Sequence, residues 1–267
     1  MPGERTCALS IAGFDPTGTV GMPVDLRTFT HAGVHGLGVV TVVTAQDTIG
    51  ISGVKPMSDD VVADQLSTLL GDVDPAASKM GMLWSPSLAS VAASAVDRLG
   101  HLVVDPVLVS GSGSRIIDQA LDEIYLTELF PAAAVITPNR AEAGLLVGTE
   151  VSSTADAVEA ARRLLEFGSQ SVVVTAGGPG QDQADVIATV DEIEVVETTR
   201  HDVPSVRGSG DTLSAAITAG LALGWTASVA IRRGIIVTNR AIERGVESML
   251  GSGRPSAMQS QNDWLTQ

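Results

Sequence analysis

"SPSLASVAASAVDRLGHLVVDPVLV", residues 85–109, joins a helix pattern to a strand pattern without a break. Ser85 is placed to cap a helix, Pro86 suits the first helical position, and Gly100 stops the pattern. The "HLVVDPVLV" that follows (101–109) is a nearly continuous apolar run of β-branched residues. A strand covered on both faces requires such a run, whereas a half-exposed strand would alternate.

The same grammar recurs on either side. "CALSIAG" (7–13), "GVVTVVTA" (38–45), "AAVITP" (133–138) and "SVVVTAGG" (171–178) read as buried strands. "SDDVVADQLSTLLGDV" (58–73) reads as a helix with Ser58 as N-cap and acids in its first turn, and "STADAVEAARRLLEFG" (153–168) as another, ended by Gly168. Strands alternating with helices imply right-handed crossovers and a mostly parallel α/β sheet with helices on both faces. "ADVIATVDEIEVVET" (184–198) departs from this rhythm and reads as an antiparallel hairpin at the sheet edge, turning at Asp191-Glu192. Beyond residue 210 the chain is helical again. No linker, repeat or low-complexity tract divides residues 1–267, so one domain is expected. Its polar end, "SGRPSAMQSQNDWLTQ" (252–267), reads as a loosely held tail.

Composition narrows the function. The chain of 267 residues is 44% hydrophobic but only 3% aromatic, and its formal net charge is −15. Such a field repels phosphate backbones, which argues against nucleic acid as a partner. The cations are arginines apart from Lys55 and Lys79. One cysteine, Cys7, excludes an internal disulfide and a cysteine-based metal site. The start "MPGERTCALS" lacks the apolar stretch of a secretory signal, and no apolar run reaches the ~18 residues of a membrane span. A soluble, cytoplasmic protein is expected.

In parallel sheets of this kind ligands bind beyond the carboxyl ends of the strands. The turn "RGSGDTLSAA" (207–216) suits such a place. Gly208 and Gly210 let backbone N–H groups point one way, and the helix that follows adds its positive end. With Ser209 they would form an anion hole. Asp211 at its mouth would repel a resting anion. It makes sense if it accepts a proton from an alcohol that attacks a phosphoryl group held there. The alternative is a plain helix start capped by Asp211.

The rest of the chain bears on that choice. "ALSIAGFDPTGTVGMPVDLRTFTHAGVHGLGVVTVVTAQDTIGI" (8–51), "SKMGML" (78–83), "VVDPVLVSGSG" (103–113), "ITPNRAEAGLLVG" (136–148) and "RGSGDTLSAA" resemble, in order and spacing, the hydroxymethylpyrimidine/phosphomethylpyrimidine kinases of the ribokinase-like superfamily. The resemblance spans about residues 6–245. It implies a three-layer α/β sandwich and ATP-dependent phosphorylation of 4-amino-5-hydroxymethyl-2-methylpyrimidine and of its monophosphate in thiamine biosynthesis, with Mg²⁺. It also implies a homodimer.

Carried over residue by residue, the resemblance assigns the substrate site to Gln46, Asp25, Met82 and Val107. Gln46 would read the aminopyrimidine edge, which suits an amide that both donates and accepts. Asp105 and Glu142 would serve the metal, and Asn139, Thr175 and Gly177 the nucleotide phosphates. Each has a plainer reading. Gln46 could bond loop backbone, Met82 and Val107 could be core, and Asp25 could be a surface helix residue beside Arg27. Asp105 could cap a turn, and Asn139 with Glu142 could form a capping box.

The sequence departs from the family pattern in places. Gly-Ser-Gly-Asp stands at 208–211 where Gly-Thr-Gly-Cys is usual; the aspartate is what sugar, nucleoside and pyridoxal kinases of the superfamily carry. Ala176 stands where a lysine is usual. Thr19, Val20 and Pro23 alter the first loop, and Phe14 replaces a serine. These changes imply a smaller or more apolar acceptor pocket. They keep two alternatives in view: a pyridoxal/pyridoxine kinase of the same fold, and a non-catalytic pyrimidine- or nucleotide-binding member.

Overall fold

The computed structural model describes residues 5–110, 114–176, 184–198 and 206–265. In chain order the elements are β1 (Cys7–Phe14), α1 (Met22–His31), β2 (His35–Gln46), β3 (Ile51–Pro56), α2 (Asp59–Leu70), β4 (Ala77–Met80), α3 (Pro86–Ala93), β5 (His101–Val104), α4 (Ala120–Ile124) and β6 (Ala133–Ile136). They continue as α5 (Arg140–Val147), α6 (Thr154–Leu165), β7 (Ser171–Val174), β8 (Ala184–Thr189), β9 (Ile193–Glu197), α7 (Ser209–Ala222), α8 (Ala227–Val246) and α9 (Asn262–Leu265).

The strands form one nine-stranded sheet in the order β3-β2-β1-β4-β5-β6-β7-β8-β9. Neighbours from β2 to β7 pair in parallel, as the apolar strand runs imply. Antiparallel pairs close both edges: β7, β8 and β9 on one side, and β2 with β3 on the other. One face of the sheet is covered by α1, α7 and α8 around Phe29, Leu213, Ile217 and Ile231. The other is covered by α2 to α6 around Leu66, Leu88, Leu121, Leu146 and Leu164. This is the three-layer arrangement expected.

The helix signals are realised with some adjustment. The Ser85 hydroxyl accepts the Leu88 N–H with Pro86 just inside, but α3 ends at Ala93 and a 3-10 turn, Val96–Arg98, completes the stretch. Ser153 and Asp156 form a capping box on α6. Ser58 precedes α2 but its side chain does not cap it. The 184–198 hairpin turns where expected. Two strands were not anticipated. β3 folds back on β2 beyond Gln46, and β4 carries a lysine in its middle.

Residues 252–265, expected to be a loose tail, are docked. Arg207 and Ser256 form a parallel bridge, and Ala257 is buried. Gln259 accepts from Arg27 and donates to Thr212. Asp263 is buried and ion-paired with Arg244, and Trp264 packs on Trp225. These polar residues find partners on α1, α7 and α8, which composition alone does not reveal.

The connection from α2 to β4 passes to the other side of β1 from β2. The order therefore reverses at β1, and the cleft beyond the carboxyl ends of β1 and β4 is the place where a parallel α/β sheet offers a ligand site.

Candidate active site

The strand ends deliver the candidate residues to that cleft. Gln46 ends β2, Met82 follows β4, Asp105 follows β5, Asn139 follows β6 and Thr175 follows β7. Gln46, Met82 and Val107 are half-buried. Met82 lies against Gly13 at the end of β1, beside Val42. Met82 also packs against the core on the α2–α6 side of the sheet.

α7 points its N-terminus at the same region. Gly208 adopts φ +73° and caps the helix, and a side chain there would strike the Thr19 carbonyl at 2.1 Å. The first loop therefore lies directly on the turn. Asp15 holds that loop, accepting from the backbone N–H of Thr17, Thr19 and Val20. A side chain at Gly210 would meet nothing within 4 Å. The turn thus has one tight wall and one open side, the geometry of a backbone cradle with room for an anion.

At the centre stands a residue not singled out from the sequence. Lys79, in β4, is fully buried, and its Nζ lies 2.6 Å from Asp25, 3.0 Å from Asp211 and 3.6 Å from Asp105. These carboxylates outweigh the cost of burial and hold the ammonium well above its ordinary range. Asp25, which the resemblance assigns to the substrate site and whose plainer reading is a surface helix position, has neither carboxylate oxygen turned to the cleft or to solvent. It is fully buried, and its second oxygen accepts from Ser10 at 2.6 Å. Burial pushes its carboxyl up, to about 7, against the pull of Lys79. Asp105 also accepts from Ser214 of α7 at 3.0 Å, and burial raises it too. Asp211 has the most exposed side chain of the three, at 16% against 9% for Asp105 and none for Asp25. The lysine ties β4, β5, α1 and α7 together and leaves one carboxylate facing outward.

Asn139 and Glu142 form the capping box of α5: the Asn139 side chain accepts the Glu142 N–H, and Glu142 accepts the Asn139 N–H. The other Glu142 oxygen accepts from Leu108 N–H at 3.2 Å. Burial raises this carboxyl to about 8, and the nearby Asp105 adds to the rise. Thr175 pairs with Asn139 through its backbone. Gly177 lies outside the described residues. Ala176 is buried, its N–H donating to Asp185.

Among the described residues no group of three or more His, Cys, Asp or Glu side chains could hold a metal by itself. Asp105 and Glu142 are nevertheless hard oxygen donors close enough to act on each other. A pair of carboxylates fits Mg²⁺, which keeps most of its waters and takes its remaining ligands from substrate phosphates. No helix among the described residues is long and apolar enough to cross a membrane.

Comparison with known proteins agrees with this architecture. The family model described as phosphomethylpyrimidine kinase matches residues 15–255. The chain is 40% identical over 220 residues to a hydroxymethylpyrimidine/phosphomethylpyrimidine kinase of Synechococcus elongatus, covering 81% of this chain and 84% of that one. It is 35% identical to a pyridoxine kinase of Bacillus subtilis, covering 81% and 83%. The ADP complex of Bacillus subtilis pyridoxal kinase superposes with a TM-score of 0.86 at 33% identity, over 95% of this chain and 97% of that one.

Proposed function

The chain belongs to the phosphomethylpyrimidine kinase family, and from that premise we propose that it transfers the γ-phosphoryl group of ATP to the hydroxymethyl group of 4-amino-5-hydroxymethyl-2-methylpyrimidine, and then to the resulting monophosphate. The observation that carries this reading is the partly exposed Asp211 carboxylate at the open mouth of the 208–211 turn, steadied from behind by Lys79.

The chemistry follows from that arrangement. The acceptor lies against Gln46, Met82 and Val107, with its hydroxyl toward Asp211. The turn N–H groups face the equatorial oxygens of the transferring phosphoryl, where charge gathers in a loose transition state. Asp211 takes the hydroxyl proton as the acceptor oxygen bonds to phosphorus and the bond to the departing ADP breaks. Lys79 is too buried to reach the acceptor. It positions Asp211 against Asp25 and Asp105. Asp105 and Glu142 would hold Mg²⁺, which would neutralise the nucleotide phosphates. Asn139 and Thr175 flank the place where those phosphates would lie. A homodimer carries through from the family resemblance, and light scattering on the purified protein reads it.

A second acceptor class is favoured by a specific observation. The chain is as similar to a pyridoxine kinase as to several pyrimidine kinases, and it carries Asp211 in the turn and an exposed Phe14 at the end of β1. Purified protein with Mg-ATP and, separately, the hydroxymethylpyrimidine, its monophosphate and pyridoxal separates the readings by ADP release. Turnover on both pyrimidines is expected. Turnover on pyridoxal alone moves the protein to the second class. No turnover by a folded protein leaves a binding role.

A further inference from the structure

Arg207 directly precedes the 208–211 turn and is 8% exposed. Its main chain is pinned on both sides: its N–H donates to the Pro255 carbonyl at 2.8 Å, and its carbonyl accepts from Ala257 at 2.9 Å. Its Nε donates to the Thr19 hydroxyl at 3.1 Å. Its Nη2 is buried and has no hydrogen-bond partner among the described residues. A guanidinium that is out of water and short of partners is costly, and a protein retains one where a counter-charge arrives.

Among the described residues, the acids that act on it are already engaged. Asp15, Asp47 and Asp211 all act on Arg207 at a distance. None of them forms an ion pair with it among the described residues. Asp15 is consumed by the N–H groups and hydroxyls of the first loop. Asp47 is consumed by the N–H groups of Ile49 and Gly50. Asp211 is paired with Lys79. The guanidinium therefore sits between the first loop, the chain just past Gln46 and the open turn at the start of α7, with a donor to spare. That is the acceptor side of Asp211, across the cleft from Asn139 and Thr175.

We propose that Arg207, together with the N-terminal turn of α7, forms a subsite for a phosphate dianion. This rests on the kinase reading above. The phosphate is either the one that a monophosphate acceptor already carries or the one being transferred. Arginine suits the task because its planar fork matches phosphate oxygens and stays charged when buried.

The test uses the wild-type protein with Arg207→Gln and Arg207→Lys. Binding of inorganic phosphate, read by calorimetry without turnover, is expected to weaken about tenfold or more in Arg207→Gln and less in Arg207→Lys, in line with the loss of a charge-assisted hydrogen bond. Equal phosphate affinity in wild type and Arg207→Gln overturns the proposal. Because no catalysis is needed, this result is independent of whether the kinase reading holds. If Arg207→Gln does not fold, a wild-type crystal soaked in phosphate decides. A phosphate oxygen within hydrogen-bonding distance of Nη2 supports the subsite, and none there overturns it.

Kinetics then identify the source. A raised KM for the monophosphate acceptor, with the KM of the uncharged alcohol unchanged, assigns the acceptor's own phosphate. A raised KM for ATP with both acceptors assigns the transferring group. Unchanged KM values throughout overturn the proposal.

Discussion

Lys79 Nζ lies 3.0 Å from the Asp211 carboxylate and 2.6 Å from that of Asp25, so one fully buried cation joins the first motif of the chain to the last. The lysine replaces water as the partner of three acids gathered from distant parts of the sequence. Removing it strands charge rather than merely deleting a contact.

Lys79→Met is therefore expected to cost about 3–5 kcal/mol of stability, the usual penalty for breaking a buried pair from one side. Asp25→Asn combined with Lys79→Met should recover part of that loss. Urea melts of both single variants and the double variant give the coupling. Additive losses would mean that the pair does not interact as its geometry states.

The two glycines of the turn should respond in opposite ways. Gly208→Ala places a methyl group on the Thr19 carbonyl at a positive φ, so a loss on the order of 1–3 kcal/mol is expected, with the first loop displaced. Gly210→Ala meets no atom and lies in the first turn of α7, so stability should hold or rise slightly. Its methyl group would nonetheless intrude on the open side of the cradle. Thermal melts and kcat measured together check this: Gly210→Ala should be folded and slow.

Asp185 gives a pH prediction. Burial raises its carboxyl from 3.8 to about 6 in the folded protein, although the Ala176 N–H donates to it. Folding thus favours its protonated form. That contribution is fully present below about 4 and is lost as pH rises to about 6, worth on the order of 2–3 kcal/mol. Asp185→Asn keeps an acceptor for Ala176 and cannot ionise. Its stability, followed by urea melts from pH 4 to 7, should be flatter than that of the wild type.

Much of the architecture could be read from local signals. Ser85-Pro86 and the capping box at Ser153 start helices where the pattern placed them, and apolar runs mark β1, β2, β5, β6 and β7. β4 escaped because it is four residues long with a lysine among them, and a charged residue breaks the apolar signature. The lysine's burial makes sense only with Asp25, Asp105 and Asp211 beside it, and those lie far away in sequence. The same distance hid the burial of Asp25, whose neighbour Arg27 suggested a surface. The positions of Gln46, Asp105 and Asn139 at strand ends were legible, because a parallel sheet fixes where its ligands go. The docked end of the chain was not, since its polar residues are satisfied by Arg27, Thr212 and Arg244 on other helices.

The proposed reaction turns on Asp211 accepting the acceptor's proton. The most direct measurement is kcat for ADP release with the hydroxymethylpyrimidine, wild type against Asp211→Asn, alongside the ADP affinity of each. Loss of a positioned general base predicts a fall in kcat of roughly 10²–10⁴, with nucleotide affinity and fold retained. An Asp211→Asn enzyme that turns over at the wild-type rate would contradict the account.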